Sequence, residues 1–332
     1  MSRLMRLSLR AVDWATDATR RADGTLNRLA LAVLDPRVPA FSSPCRGVAS
    51  RDLVLVPETR LRARLFYPAA GDDGDRPLPV IVFFHGGGFA FLSAASAAYD
   101  AACRRIARYA SAAVLSVDYR RAPEHRCPAA YDDGFSALRY LDDPKDHSPG
   151  SGVVRIDAAR CYLAGDSAGG NIAHHVARRY AAEAPAFRNV RVAGLIAIQP
   201  FFGGEERTDS ELRLDGAPIV TVSRTDWMWR AFLPQGCDRT HEAADCTAPA
   251  AASGVDSPCF PPVLLAIGGY DPLQDWQRRY AEMLKSKGKD VRVLEYPDAI
   301  HAFYVFPAFD DGRDLMIRIA EFVAESAAAG SE

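Results

Sequence analysis

The chain of 332 residues has little of what would place it in a membrane, on a nucleic acid or in an oxidising compartment. No stretch approaches the roughly 20 consecutive apolar residues that a membrane span needs. Neither sign of charge dominates: 40 Lys and Arg stand against 42 Asp and Glu, a formal net charge of −2. There is therefore no long-range positive field to draw in nucleic acid or an anionic membrane. The seven cysteines (45, 103, 127, 161, 237, 246 and 259) include no C-x-x-C pair, and no histidine lies at zinc-ligand spacing. An odd, scattered set reads as free, reduced thiols rather than a disulfide framework or a zinc site. The N-terminus carries Arg3, Arg6 and Arg10 before its first acid and lacks the contiguous apolar run of a secretory leader. Internal repeats are missing, and no metal or cofactor motif is present. These absences leave a cytoplasmic protein whose partner is a small molecule or another protein, with no nucleic acid and no membrane span.

What the sequence does have is 48% hydrophobic residues in short runs bounded by Pro, Gly or Asp. Eight of them read as strands: Leu53–Val56, Leu61–Phe66, Val80–Phe84, Ala113–Val117, Cys161–Leu163, Val192–Ile198, Val263–Ile267 and Val291–Leu294. Only LRARLF alternates apolar with polar; the others are apolar throughout, as expected of strands covered on both faces. Helix-period segments lie between and after them at Ala98–Tyr109, Ala130–Leu141, Asn171–Ala182, Gln274–Lys287 and Leu315–Ser326, and Gly288 falls where a helix C-cap belongs. Alternation of this kind predicts an α/β fold, an eight-stranded, mostly parallel sheet flanked by helices.

Length alone, at roughly 150 residues per domain, suggests two units. The pattern instead favours one catalytic domain, 51–332, preceded by a lid segment, 1–50, and interrupted by an insertion, 201–262, after the sixth strand. Both extra segments are too long for simple connections, and a cap over the carboxyl edge of the sheet is their expected role. Gly71–Pro79 and Pro144–Gly152 read as exposed loops.

The strongest chemical signal is Gly165-Asp166-Ser167-Ala168-Gly169-Gly170, directly after an apolar strand and directly before a helix. In that setting G-x-S-x-G is a sharp strand-to-helix turn that presents a serine hydroxyl, crowded enough to demand glycine on either side. A glycine-rich turn with an incidental serine would share the letters but not the setting. His85-Gly86-Gly87-Gly88-Phe89 follows the strand VIVFF. Consecutive glycines let backbone N–H groups converge on one point, so Gly87, Gly88 and the N–H of Ala168 are the candidate oxyanion hole. His85 is expected to pin this loop.

A nucleophilic serine needs a base, and the base needs an orienting carboxylate, in the order Ser, acid, His. Asp271 ends the strand VLLAIGG, and His301 follows VRVLEYP as the one histidine of seven beyond Asp271. Asp275 is the runner-up acid, a turn into the next helix. His174 and His175 read as packing and surface residues, and His125, His147 and His241 sit in loops without a partner. Phe89, Trp227, Met228 and Tyr304 are the candidate substrate-pocket residues.

These residues resemble the plant carboxylesterases of the hormone-sensitive-lipase-like branch of the α/β-hydrolases. The resemblance rests on HGGGFAFLSAASAAYD (85–100), DYRRAPEHRCPAAYDDG (118–134), GDSAGGNIAHHVA (165–177), GGYDPLQDW (268–276) and IHAFYVFP (300–307). Residues 20–40 are similar to the lid segment, and 225–241 to the pocket segment, of the gibberellin-receptor-like members. The resemblance implies a serine carboxylesterase acting on a small to medium, largely apolar ester or lactone, with plant hormone esters and strigolactones as candidates. It also carries two rivals: a non-catalytic hormone receptor whose lid presents a surface to a protein partner, and an isoflavanone dehydratase-type lyase. Three departures count against the receptor. The histidine that receptors replace with an aliphatic residue is kept as His301; their HGGSF is HGGGF, with Gly88; and the Arg and Tyr of their D-R-D-W-Y-W are Thr225 and Met228. Losing the serine hydroxyl and two polar contacts removes hydrogen bonds worth about 1 kcal/mol or more each.

Overall fold

Among residues 3–69, 77–143 and 154–329, which the computed structural model describes, the apolar runs assemble into one sheet. Its strands are β1 (Val48–Val56), β2 (Leu61–Pro68), β3 (Leu78–Phe84), β4 (Ala113–Asp118), β5 (Ile156–Asp166), β6 (Val192–Ile198), β7 (Val263–Tyr270) and β8 (Val291–Ile300), in the order β1-β2-β4-β3-β5-β6-β7-β8. β2 runs antiparallel to β1 and β4, and the remaining pairings are parallel. Strand interiors follow the apolar runs, while the ends extend beyond them wherever a neighbour supplies ladder partners. β1 reaches back to Val48 opposite Pro68, and β5 to Ile156 opposite Leu78.

The continuous apolar character of β3 is explained by two cores. Val80, Val82 and Phe84 face one and Ile81 and Phe83 the other, because successive strand residues point to opposite faces. Helices α4 (Ala129–Asp142), α5 (Ala168–Glu183) and α8 (Gln274–Ser286) cover the first face. Helices α3 (Ala97–Ala110) and α9 (Asp310–Ala329) cover the second, α9 through Leu315, Ile319, Phe322 and Val323 at helical spacing. Full cover fails for β1 and β8, which are the edges of the sheet and leave residues such as Val54 and Glu295 exposed. Gly288 has φ 69° just past α8, as a C-cap glycine should.

Outside this layered unit lie α1 (Arg3–Asp17) and α2 (Arg28–Leu34) before the sheet, and α6 (Asp209–Arg213) and α7 (Val222–Phe232) after β6. The expected loop at Pro144–Gly152, with His147, and the part of the other at 71–76 lie outside the described residues; Leu78 and Pro79 belong to β3. No helix among the described residues is long and apolar enough to cross a membrane.

Candidate active site

The carboxyl ends of the parallel strands meet at one cavity of about 740 Å³. Its floor holds Gly87 and Gly88 from the loop after β3, Ser167 from the turn after β5 and His301 from the end of β8. Ser167 is the turn itself, with φ 53° and ψ −122°. A side chain in that left-handed region is strained and persists only where its surroundings fix it. Here Ser167 N–H donates to the Ile198 carbonyl (3.0 Å), and the Ser167 carbonyl accepts from Phe201 N–H (2.8 Å). The glycines permit the sharpness: a Cβ on Gly165 would lie 2.3 Å from the Gly169 carbonyl.

His301 and Asp271, thirty positions apart, are joined by a 2.8 Å hydrogen bond between Nδ1 and Oδ2 in a fully buried setting. Burial disfavours the charged imidazolium, but the adjacent Asp271 carboxylate outweighs it, so the His301 pKa lies above the ordinary histidine value. Asp271 Oδ2 also accepts from Gln199 Nε2 (3.0 Å) and Gln277 Nε2 (2.9 Å), and Oδ1 accepts from Leu273 N–H (2.9 Å). Neither glutamine belongs to a motif that would have drawn attention in the sequence. Asp271, not Asp275, bonds to His301; the Asp275 carboxylate accepts from Ser210 N–H and pairs with Arg278.

Gly87 and Gly88 have φ of 103° and 57° and line the cavity, and Ala168 opens α5 beside Ser167. Asp166 ties this loop to the serine turn: Oδ1 accepts from Gly86 N–H (2.9 Å) and Oδ2 from Tyr99 Oη (2.9 Å). Burial, opposed by the Tyr99 bond, pushes its carboxyl up to about 6. His85 stays within its loop, Nδ1 2.8 Å from the Gly86 carbonyl and its ring stacked on Tyr119. Burial holds His85 down to about 4, so it is neutral near pH 7.

Of the candidate pocket residues only Met228 lines the cavity. Phe89 has φ 63°, which turns its ring out of the cavity and onto Phe232, with ring centroids 3.6 Å apart. Trp227 lies outside the wall, packed between Phe91 and the Arg20 guanidinium, and Trp229 is buried beside Phe201. Tyr304 is fully buried beneath the floor and does not reach the cavity. His174 and His175 are both buried, His174 against Tyr280 Oη, so neither is a surface residue. His125 is exposed at the rim of the cavity, and His241 accepts from Ala243 N–H.

Thr225 and Met228 apart, the individual wall residues that segments 1–50 and 201–262 contribute were not legible in the sequence. Leu9, Val12, Asp13 and Thr16 come from α1, Leu31 and Leu34 from α2, and Arg224, Thr225 and Met228 from α7. Arg224 joins the two layers, pairing with Asp13 and, at 3.0 Å, with Asp17, while Asp13 also accepts from Ile219 N–H. Met228 lies directly over Gly88, where an added Cβ would meet its Sδ at 2.2 Å. Among the described residues no cluster of three or more His, Cys, Asp or Glu is arranged to hold a metal.

Comparison with known proteins agrees with the fold. The α/β-hydrolase fold family matches residues 81–305. The chain is 44% identical to gibberellin receptor GID1C of Arabidopsis thaliana over 93% of its own length and 90% of the receptor's. It is 36% identical to carboxylesterase 20 of the same plant, over 75% and 77%. A Pyrobaculum calidifontis esterase superposes with a TM-score of 0.74 at 27% identity, covering 98% of this chain and 99% of that one. The chain therefore belongs to the α/β-hydrolase family, in the group that contains the plant carboxylesterases and the gibberellin receptors.

Proposed function

We propose that this chain is a serine carboxylesterase, with Ser167 as nucleophile, His301 as general base and acid, and Asp271 as the orienting carboxylate. The observation that carries the reading is the buried His301–Asp271 hydrogen bond at the cavity that also holds Ser167. Ser167 Oγ attacks the ester carbonyl carbon while its proton passes to His301 Nε2. The oxyanion is held by the N–H groups of Gly87, Gly88 and Ala168. Collapse breaks the bond to the alkoxy oxygen, which leaves with the proton from His301. Water, deprotonated by the same imidazole, then attacks the acyl-enzyme, and Ser167 regains its proton as the acid departs.

Residues 1–50 and the first part of the 201–262 insertion form the cap in this reading, supported by the cavity walls from α1, α2 and α7. A cavity of about 740 Å³ with largely aliphatic and aromatic walls favours a compact apolar ester or lactone. Seven free cysteines suit a reducing, cytoplasmic setting. The test is hydrolysis of p-nitrophenyl acetate by the wild type and Ser167→Ala. Loss of at least about 10³-fold is expected, and equal rates overturn the reading.

A second reading, ligand binding without turnover, draws weight from the 44% identity to a gibberellin receptor. Calorimetry with gibberellins separates the two: tight binding with no Ser167-dependent turnover of any ester would reverse the ranking.

A further inference from the structure

We infer that Gln199 is a positioning residue that registers the nucleophile, the base and the acid against one another; the inference rests on the serine-esterase reading. Gln199 is fully buried, immediately after β6, and contacts both flanks of His301 with one amide. Its Nε2 donates to Asp271 Oδ2 (3.0 Å) and to the Ile300 carbonyl (3.2 Å), while its Oε1 accepts from Ala302 N–H (2.8 Å). Its neighbours on either side hold the serine turn: the Ile198 carbonyl accepts from Ser167 N–H, and Phe201 N–H donates to the Ser167 carbonyl. Ile198, Gln199 and Phe201, within four consecutive positions, thus touch the backbone of the nucleophile, the carboxylate of the acid and the two peptides around the base.

Two further observations mark the arrangement as built for this contact. Gln199 and Ala302 both hold left-handed backbone, φ 44° and 55°, a cost that persists where the surroundings over-determine the conformation. Gly268, across the ladder on β7, leaves the space the amide occupies: a Cβ there would sit 2.4 Å from Gln199 Nε2. By contrast Gln277, the other amide on Asp271 Oδ2, donates to that carboxylate while its Oε1 has no hydrogen-bond partner among the described residues, so it bonds to neither flank of His301.

The charged groups facing His301 are Asp271 from the end of β7, Asp166 from the end of β5 and Arg224 from α7. Gln199→Ala removes one donor from Asp271 Oδ2 and leaves its negative charge less neutralised, so the imidazolium is favoured and the acid limb of kcat/KM moves to higher pH. It also frees the His301 loop to shift. Gln199→Glu retains an acceptor for Ala302 N–H but places a second carboxylate beside Asp271, moving the limb further in the same direction.

The experiment measures kcat, KM and the pH profile for p-nitrophenyl acetate with wild type, Gln199→Ala, Gln199→Glu and Gln277→Met. Rates are expressed per site labelled to completion by a fluorophosphonate, so that misfolded molecules do not count. Gln199→Ala is expected to lose about 10- to 100-fold in kcat with KM within about threefold, with the acid limb displaced upward; Gln277→Met should shift the limb with a smaller loss of kcat. An unchanged kcat and limb in Gln199→Ala, a loss that vanishes after normalisation to labelled sites, or equal effects of Gln199→Ala and Gln277→Met would each overturn the assignment. If instead wild type and Ser167→Ala hydrolyse the ester equally, it is the esterase reading that fails.

Discussion

His301 carries the sign of the pH response. In the proposed mechanism its imidazole must be neutral to accept the Ser167 proton, yet the Asp271 carboxylate holds its pKa above the ordinary value of about 6.5. Esterase activity should therefore be full at alkaline pH and fall as pH drops through a value above about 6.5, which a kcat/KM profile with a short-chain ester would show; a limb well below that value would contradict the assignment of His301. Gly88 and Met228 make a second residue-scale prediction. Gly88→Ala should lower kcat/KM by about tenfold or more, because the new Cβ collides with Met228 Sδ and alanine resists φ 57°. Adding Met228→Ala should return at least about threefold of it, a coupling that a double-mutant cycle reads directly. Strictly additive losses would mean that the two side chains do not compete for that space. The limit of sequence reading is visible here too. Phe89 and Tyr304 lie within motifs and Trp227 within the segment that resembles the receptors' pocket segment, but neither says which way a ring turns from a left-handed backbone or a helix face. Gln199 sits in no motif and declares itself only through three hydrogen bonds to groups about 70 to 100 positions away.

At the scale of elements, what the sequence displayed best were the strand and helix interiors, since apolar periodicity reports which faces are covered. It displayed poorly what pairing and docking decide: the extra paired residues at the ends of β1 and β5, the exposed faces of the two edge strands, and the meeting of α1 with α7. That meeting depends on Arg224 and Asp13, 211 positions apart. Arg224 is buried and pairs with two carboxylates, so Arg224→Gln should loosen α1 from the cavity wall. Limited proteolysis should then cut within residues 1–41 sooner. KM for a bulky apolar ester should rise several-fold, while kcat for p-nitrophenyl acetate stays within about threefold. Unaltered proteolysis and KM would show that α1 is held by its apolar contacts alone.

Across the whole molecule, the candidate machinery is distributed along the sheet: the glycine loop and Ser167 emerge beside its centre, at β3 and β5, while His301 follows β8, one of the two edge strands. β8 is bonded to a single neighbouring strand and leaves several side chains in water. Elements with one partner and solvated hydrogen bonds open at lower free energy than the centre of a sheet. If His301 is the base, catalysis is a gauge of one edge of the sheet and not of the protein's bulk. In a urea titration, hydrolysis should disappear at a lower concentration than the helical circular dichroism signal, and it should return promptly on dilution from that intermediate range; coincident midpoints would show that β8 is as firmly held as the strands it follows.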